Sequence, residues 1–159
     1  MAPAATPMSG PYNAAVDLLG RNLGDRPHKV AVIDAEGRYT YAEIAARAER
    51  AGAALIGLGL DPGDRVALVL QDGVDFVTSF LGAIRVGLVP IPLNTLFPAP
   101  DLAYILSDSG ARAVVVSEPL TPVVSEAIES AKPSVEVTSR PRASSRRCNS
   151  ACSLSNCEA

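Results

Sequence analysis

Few residues in this chain are of types that could do chemistry, and their spacing decides what each can do. The series Gly57-x-Gly59-x3-Gly63 superficially resembles a dinucleotide fingerprint. Such a loop must follow a strand and open a helix, so that a phosphate meets the helix N-terminus. Here the glycines end a helix and lead into a strand, which makes them a cap and a turn. Asp61-Pro62-Gly63-Asp64 and Asp72-Gly73 place carboxylates near strand ends. Paired carboxylates do acid–base work or bind a metal, but Asp-Pro-Gly and Asp-Gly are also ordinary turn chemistry, and a structural role is expected. His28 is the sole histidine and sits between Pro27 and Lys29, with no Ser or Cys arranged beside it. A surface position is expected.

Cys148-x3-Cys152-x4-Cys157 offers three thiolates, yet structural zinc takes four ligands and commonly a C-x2-C knuckle. The surrounding tail has neither a fourth Cys nor a His. Arg140, Arg142, Arg146 and Arg147 form a basic cluster that reads as a solvated tail before it reads as an RNA or membrane contact. Phosphoryl and adenylyl transfer need a Gly-rich backbone cradle, usually with a Lys, to hold the charge that develops on phosphate. The two lysines, Lys29 entering a strand and Lys132 at a helix end, both lie outside any Gly-rich loop. No catalytic, cofactor-binding or metal-ligating residue is therefore assigned.

Composition narrows the classes. The chain has 159 residues, 48% of them hydrophobic, which suits one globular domain with a core of Val, Leu, Ile and Ala. Residues 1–131 carry nine basic and fifteen acidic groups, whereas residues 132–159 carry five and two. The first part offers no basic face, so no nucleic-acid partner is expected. All three cysteines lie in the last dozen residues, which argues against a disulfide framework. Residues 1–11 are Ala- and Pro-rich, without a basic n-region or apolar h-region, so they read as a flexible start and not as a secretory leader. The longest apolar stretch, 76–93, is broken by Arg85, Pro90 and Pro92 and is not expected to span a membrane. A cytoplasmic location is the default.

The elements that must position these residues follow from periodicity. Residues 12–23 read as an amphipathic helix with Ala15, Leu18, Leu19 and Leu23 on one stripe. Residues 29–34 (KVAVID) and 38–40 read as a hairpin around Glu36-Gly37. Thr40-Tyr41-Ala42-Glu43 is a capping box. The helix it opens has the stripe Tyr41, Ile44, Ala48, Ala51, Leu55 and Leu58, with a favourable Glu43→Arg47 pair on its outer face. Apolar strands at 66–70, 89–93 and 113–117 then alternate with helices at about 73–86, 100–107 and 121–131. Continuously apolar strands alternating with helices imply an α/β fold, a partial parallel sheet flanked by helices with right-handed crossovers.

Two stretches stand apart. The 73–86 helix is apolar almost all round, with Asp75 and Arg85 its only charges. One sheet face cannot cover Val74, Phe76, Val77 and Phe80 together, so part of this helix is expected to face water and to drive self-association. Residues 132–159 hold seven Ser, four Arg and three Cys against three long aliphatics, Val135, Val137 and Leu154. That composition cannot offset the entropy of ordering, and disorder is expected.

Residues 39–44 (YTYAEI) and 81–94 (LGAIRVGLVPIPLN) resemble the first two core motifs of the adenylate-forming superfamily of acyl-CoA synthetases, peptide-synthetase adenylation domains and luciferases. Residues 101–106 (DLAYIL) and 109–116 (SGARAVVV) are similar to its next helix–strand pair. Within the superfamily, 13–19 (NAAVDLL) and 92–96 (PLNTL) are most similar to the benzoate–CoA ligases. The resemblance covers about residues 12–131. One departure is local: family members often start the helix near residue 100 with a Thr cap, whereas this chain has Phe97-Pro98-Ala99-Pro100 and loses the capping oxygen, at about 1 kcal/mol.

The resemblance implies a two-step ligation in the whole enzyme. An aromatic carboxylic acid attacks ATP-Mg²⁺ to give an acyl-adenylate, and CoA then displaces AMP. It also implies that the phosphate loop, the adenylate-binding motifs, the hinge and the catalytic lysine all lie beyond this segment. The chain is thus expected to be an inactive amino-terminal fragment that binds none of ATP, Mg²⁺ and CoA, from a gene interrupted or shifted in frame after about residue 131. A non-catalytic scaffold that completes a separately encoded remainder is the alternative. A small α/β nucleotide-binding protein of another family ranks last, for want of a phosphate loop.

Overall fold

The computed structural model describes residues 12–131 together with the residue pair Cys152–Ser153. Helix α1 spans Ala14–Asp25, strands β1 and β2 span Val30–Ile33 and Arg38–Thr40, and helix α2 spans Tyr41–Gly57. Three βα units follow: β3 (Arg65–Val69) with α3 (Val74–Arg85), β4 (Val89–Pro92) with α4 (Ala99–Ser109), and β5 (Ala113–Val116) with α5 (Thr121–Ser130). A single 3₁₀ turn, Glu118–Leu120, leads into α5, and Cys152–Ser153 forms β6.

β1 and β2 pair antiparallel as the expected hairpin. The other strands make one parallel sheet in the order β4-β3-β5-β6. The chain steps from β3 outward to β4, then crosses back over β3 to β5. With right-handed crossovers this puts α3 and α4 on opposite faces. The packing agrees. Ala67 and Val69 of β3 and Val114 and Val116 of β5 pack with Leu102 and Leu106 of α4 and Val124 and Ala127 of α5. Val66, Leu68, Ala113 and Val115 turn the other way, onto Leu55 of α2 and Ala83 of α3. The period-2 alternation of a strand feeds both cores from the same short segments. The partial parallel sheet flanked by helices is as expected.

A third cluster explains the unusual helix. Val74, Val77 and Leu81 of α3 pack with Leu19 of α1, Ile44 and Ala48 of α2, and Ala31, Val32 and Tyr39 of the hairpin. Phe76, Phe80 and Val86 pack on the sheet cluster instead. The apolar girth of α3 is thus covered from two sides by the chain itself. Phe76 and Phe80 are half-buried, stacked with centroids 6.0 Å apart. The amino-terminal helices and hairpin form a second layer on α3, while Phe76, Val77, Phe80 and Leu81 stay only partly buried.

Smaller differences are also physical. Leu18 is 53% exposed, so the buried stripe of α1 is Ala15, Leu19 and Asn22. The capping box forms, with the Glu43 amide donating to Thr40 Oγ1 and the Thr40 amide donating to Glu43 Oε2 at 2.7 Å. Glu43 is held by its cap, and the Arg47 guanidinium lies over the Tyr39 ring at 5.0 Å. The Arg47 charge still favours the Glu43 carboxylate, and its guanidinium gains a cation–π contact besides. Pro98 caps α4 without a side-chain bond, as its sequence implies. The tail expected to be disordered lies outside the described residues, apart from β6.

Candidate functional site

In open α/β sheets, ligands settle beyond the carboxyl ends of the strands where the connections diverge to opposite faces. Here that place lies between β3, whose chain leaves toward α3, and β5, whose chain leaves toward α5. The two exit loops are stitched together: the Gln71 amide donates to Ser117 Oγ at 2.9 Å, and the Ser117 amide donates to the Val69 carbonyl at 3.1 Å. The charged side chains these loops supply are Asp72 and Glu118, both exposed. Arg65 and Arg112 stand at the opposite, amino ends of the strands. A polyphosphate brought to these loops meets two carboxylates and no cation from them. The residues present do not fit an ATP cradle, and no step of phosphate chemistry can be routed through them.

The singled-out residues within 12–131 have structural places. Gly57 ends α2, and Gly59 and Gly63 take φ of +85° and +94° on the way into β3, the backbone that glycine tolerates. Asp64 accepts from the Asp61 amide at 2.8 Å and pairs with Arg112 at 2.6 Å, so this carboxylate closes a turn and ties it to the start of β5. Asp72 and Gly73 form the turn before α3. His28 and Lys29 are exposed in the loop before β1. Among the described residues no group of three or more His, Cys, Asp or Glu is placed to hold a metal ion. Cys148, Cys157, Lys132 and the tail arginines lie outside those residues, as does the Cys152 side chain. No helix among the described residues is long and apolar enough to cross a membrane.

Two polar side chains missed in the sequence organise the framework. Asp34 Oδ2 accepts from the Val74 amide at 2.9 Å and so caps α3 from the hairpin. Its Oδ1 accepts from the Glu36 and Gly37 amides. The Val74 amide chiefly, with those of Glu36 and Gly37 and the Arg47 charge, holds the Asp34 carboxyl below the ordinary range, against the opposing effect of burial. Asn13 caps α1 through Oδ1 to the Val16 amide, while its Nδ2 donates to the Ile84 and Arg85 carbonyls that end α3. Asp-then-Gly at 34–37 signals a turn, but nothing local reveals partners 40 and 71 positions away.

Known proteins share this arrangement. The family described as AMP-binding enzyme matches residues 19–155, past the boundary at 131 where the sequence motifs end. Benzoate–CoA ligase of Thauera aromatica is 54% identical over 114 residues, which cover 70% of this chain and 22% of that protein. The 4-hydroxybenzoate–CoA/benzoate–CoA ligase of Rhodopseudomonas palustris is 44% identical over 117 residues, 73% of this chain and again 22% of the relative. Among solved structures, a benzoate CoA ligase from Burkholderia xenovorans superposes with a TM-score of 0.75 at 40% identity, covering 82% of this chain and 26% of that one. The chain spans about a fifth of the length of the curated relatives it matches. By the family match and these shared elements, the chain belongs to the AMP-binding, adenylate-forming enzymes.

Proposed function

We propose that the chain supplies the opening segment of the large amino-terminal domain of an ATP-dependent acid–CoA ligase acting on an aromatic acid of the benzoate kind. The observation that carries this is its similarity to benzoate–CoA ligases, one 54% identical over 114 residues and another superposing on 82% of the chain. In the whole enzyme the carboxylate attacks Mg²⁺-bound ATP, releasing pyrophosphate and forming an acyl-adenylate, and the CoA thiol then displaces AMP. The part taken by this segment is architectural. Its parallel strands and the doubly covered α3 form a rigid block on which catalytic portions are mounted. Its exit loops present carboxylates where ATP would need cations, so the segment alone neither holds the nucleotide nor turns it over. The reaction is assigned to the cytoplasm.

The test is direct. The purified chain should show no benzoate-dependent ATP–pyrophosphate exchange and form no benzoyl-CoA. Co-expression with the remaining portion of a benzoate–CoA ligase should restore both. Turnover by the chain alone, surviving removal of contaminants, would overturn the architectural assignment. Failure of a folded, stably bound pair to act on any aromatic acid would overturn the substrate class.

A further inference from the structure

The parallel sheet closes its two edges by different means. At β4 the amides of Val89 and Leu93 donate to the Asp64 and Leu68 carbonyls at 2.8 and 2.9 Å. Backbone groups alternate in direction along a strand, so positions 90 and 92 face the open edge. Both are proline and have no amide to offer. An approaching strand finds no donors there. At β5 the Arg112 amide donates to the Arg65 carbonyl at 2.8 Å, and the same alternation turns the Ala113 and Val115 amides outward. The side chains of β5 are buried along its whole length. A flat, apolar strand with outward donors recruits other chains unless something covers it. It is at this strand that β6 lies, parallel, with Cys152 opposite Val115 and Ser153 opposite Val116.

We propose that Cys152–Ser153 is an edge cap held in cis, which occupies the one pairing-competent edge of the sheet and keeps two copies of the chain from joining strand to strand. Three observations support it. The cap sits on the edge that proline does not protect. Its direction is the one a parallel sheet accepts, and parallel pairing needs a connection of about a dozen residues or more. Twenty residues, 132–151, separate Ala131 from Cys152 and satisfy that need. The inference concerns the chain by itself and stands apart from the ligase assignment, because its readouts are exchange and association and not turnover.

Amide hydrogen exchange on the full chain reads the edge. The Val115 amide should exchange at least about tenfold faster in the full-length double variant Cys152→Pro, Ser153→Pro than in the unaltered chain: without amides to donate to the β5 carbonyls the cap detaches, and the outward Val115 amide loses its carbonyl acceptor. The variant should also sediment with a mass that rises with concentration, whereas the unaltered chain should not. Equal exchange at Val115 in both proteins would overturn the proposal. So would protection lost only on substitution within residues 132–147, because another stretch would then hold the edge. A variant that fails to fold leaves a second measurement on the folded chain. With Cys148→Ser and Cys152→Ser in place, a paramagnetic label on Cys157 should broaden the amide resonances of Val115 and Val116 while those of Val30 and Val32 stay sharp. Unbroadened Val115 and Val116 would overturn it equally.

Discussion

At the scale of single residues, the polar groups of this chain hold backbone ends together. Asp34 is the clearest case, because one carboxylate serves three amides in two elements. A carboxyl held below its unfolded value stabilises the fold above about pH 3.9, and that contribution fades as pH falls through the lower folded value. Asp34→Ala should therefore lower the thermal midpoint at neutral pH and flatten the acid limb of the stability–pH curve below about pH 4. An unchanged acid limb in a melting series would refute the role. Asn13→Ala should cost about 1–2 kcal/mol in denaturant titration, since it removes a cap and strands the last carbonyls of α3. Asn13→Asp should restore only the α1 part. The Thr40–Glu43 capping box was legible in the sequence because its partners are three positions apart. The Asp34 and Asn13 contacts were not, because their spacing is set by the fold.

At the scale of elements, the cover of α3 is decided by how closely α2 can approach it. A Cβ on Gly82 would stand 2.5 Å from the Ala48 carbonyl oxygen and 2.9 Å from the Gly52 nitrogen. A Cβ on Gly52 would stand 2.8 Å from the Gly82 carbonyl oxygen. The helices cross glycine to glycine, with backbone on backbone. Gly82→Ala and Gly52→Ala should each cost about 1–3 kcal/mol, since neither helix can yield without moving its core. Gly57→Ala meets nothing within 4 Å and is the control, expected to be neutral or mildly stabilising. Equal stability of all three variants would show that the crossing is loose. Periodicity made every helix and strand from residue 12 to 131 legible, with ends shifted by a residue or two. It left this crossing hidden, because the glycines at 52 and 82 give no hydrophobic signal. The second layer on α3 was hidden in the same way: a pattern shows that a helix is apolar all round, but not that an earlier part of the chain folds back onto it.

At the scale of the whole molecule, family and architecture were legible because structural motifs occur in order along one strand–helix frame. The chemistry was not, since the loops after β3 and β5 carry Asp72 and Glu118 as their charged side chains and no Lys or Arg to hold a phosphate. What the frame does predict is where stability resides. Among the described residues, all three apolar clusters are built within 12–131, ending with Ala131 packed against the α4–α5 layer. Cutting the chain after Ala131 should therefore leave a cooperative thermal transition within about a degree or two of the full chain at low micromolar concentration. Loss of β6 should instead show as a transition that becomes concentration-dependent, because the β5 edge is then open to a second copy. Calorimetry at two concentrations separates these outcomes. A midpoint that falls by ten degrees or so at both would place part of the core beyond Ala131, since it would mean a loss of about 1–3 kcal/mol. A small shift at the lower concentration, with association at the higher, fits a core complete by Ala131 and an edge closed from outside it.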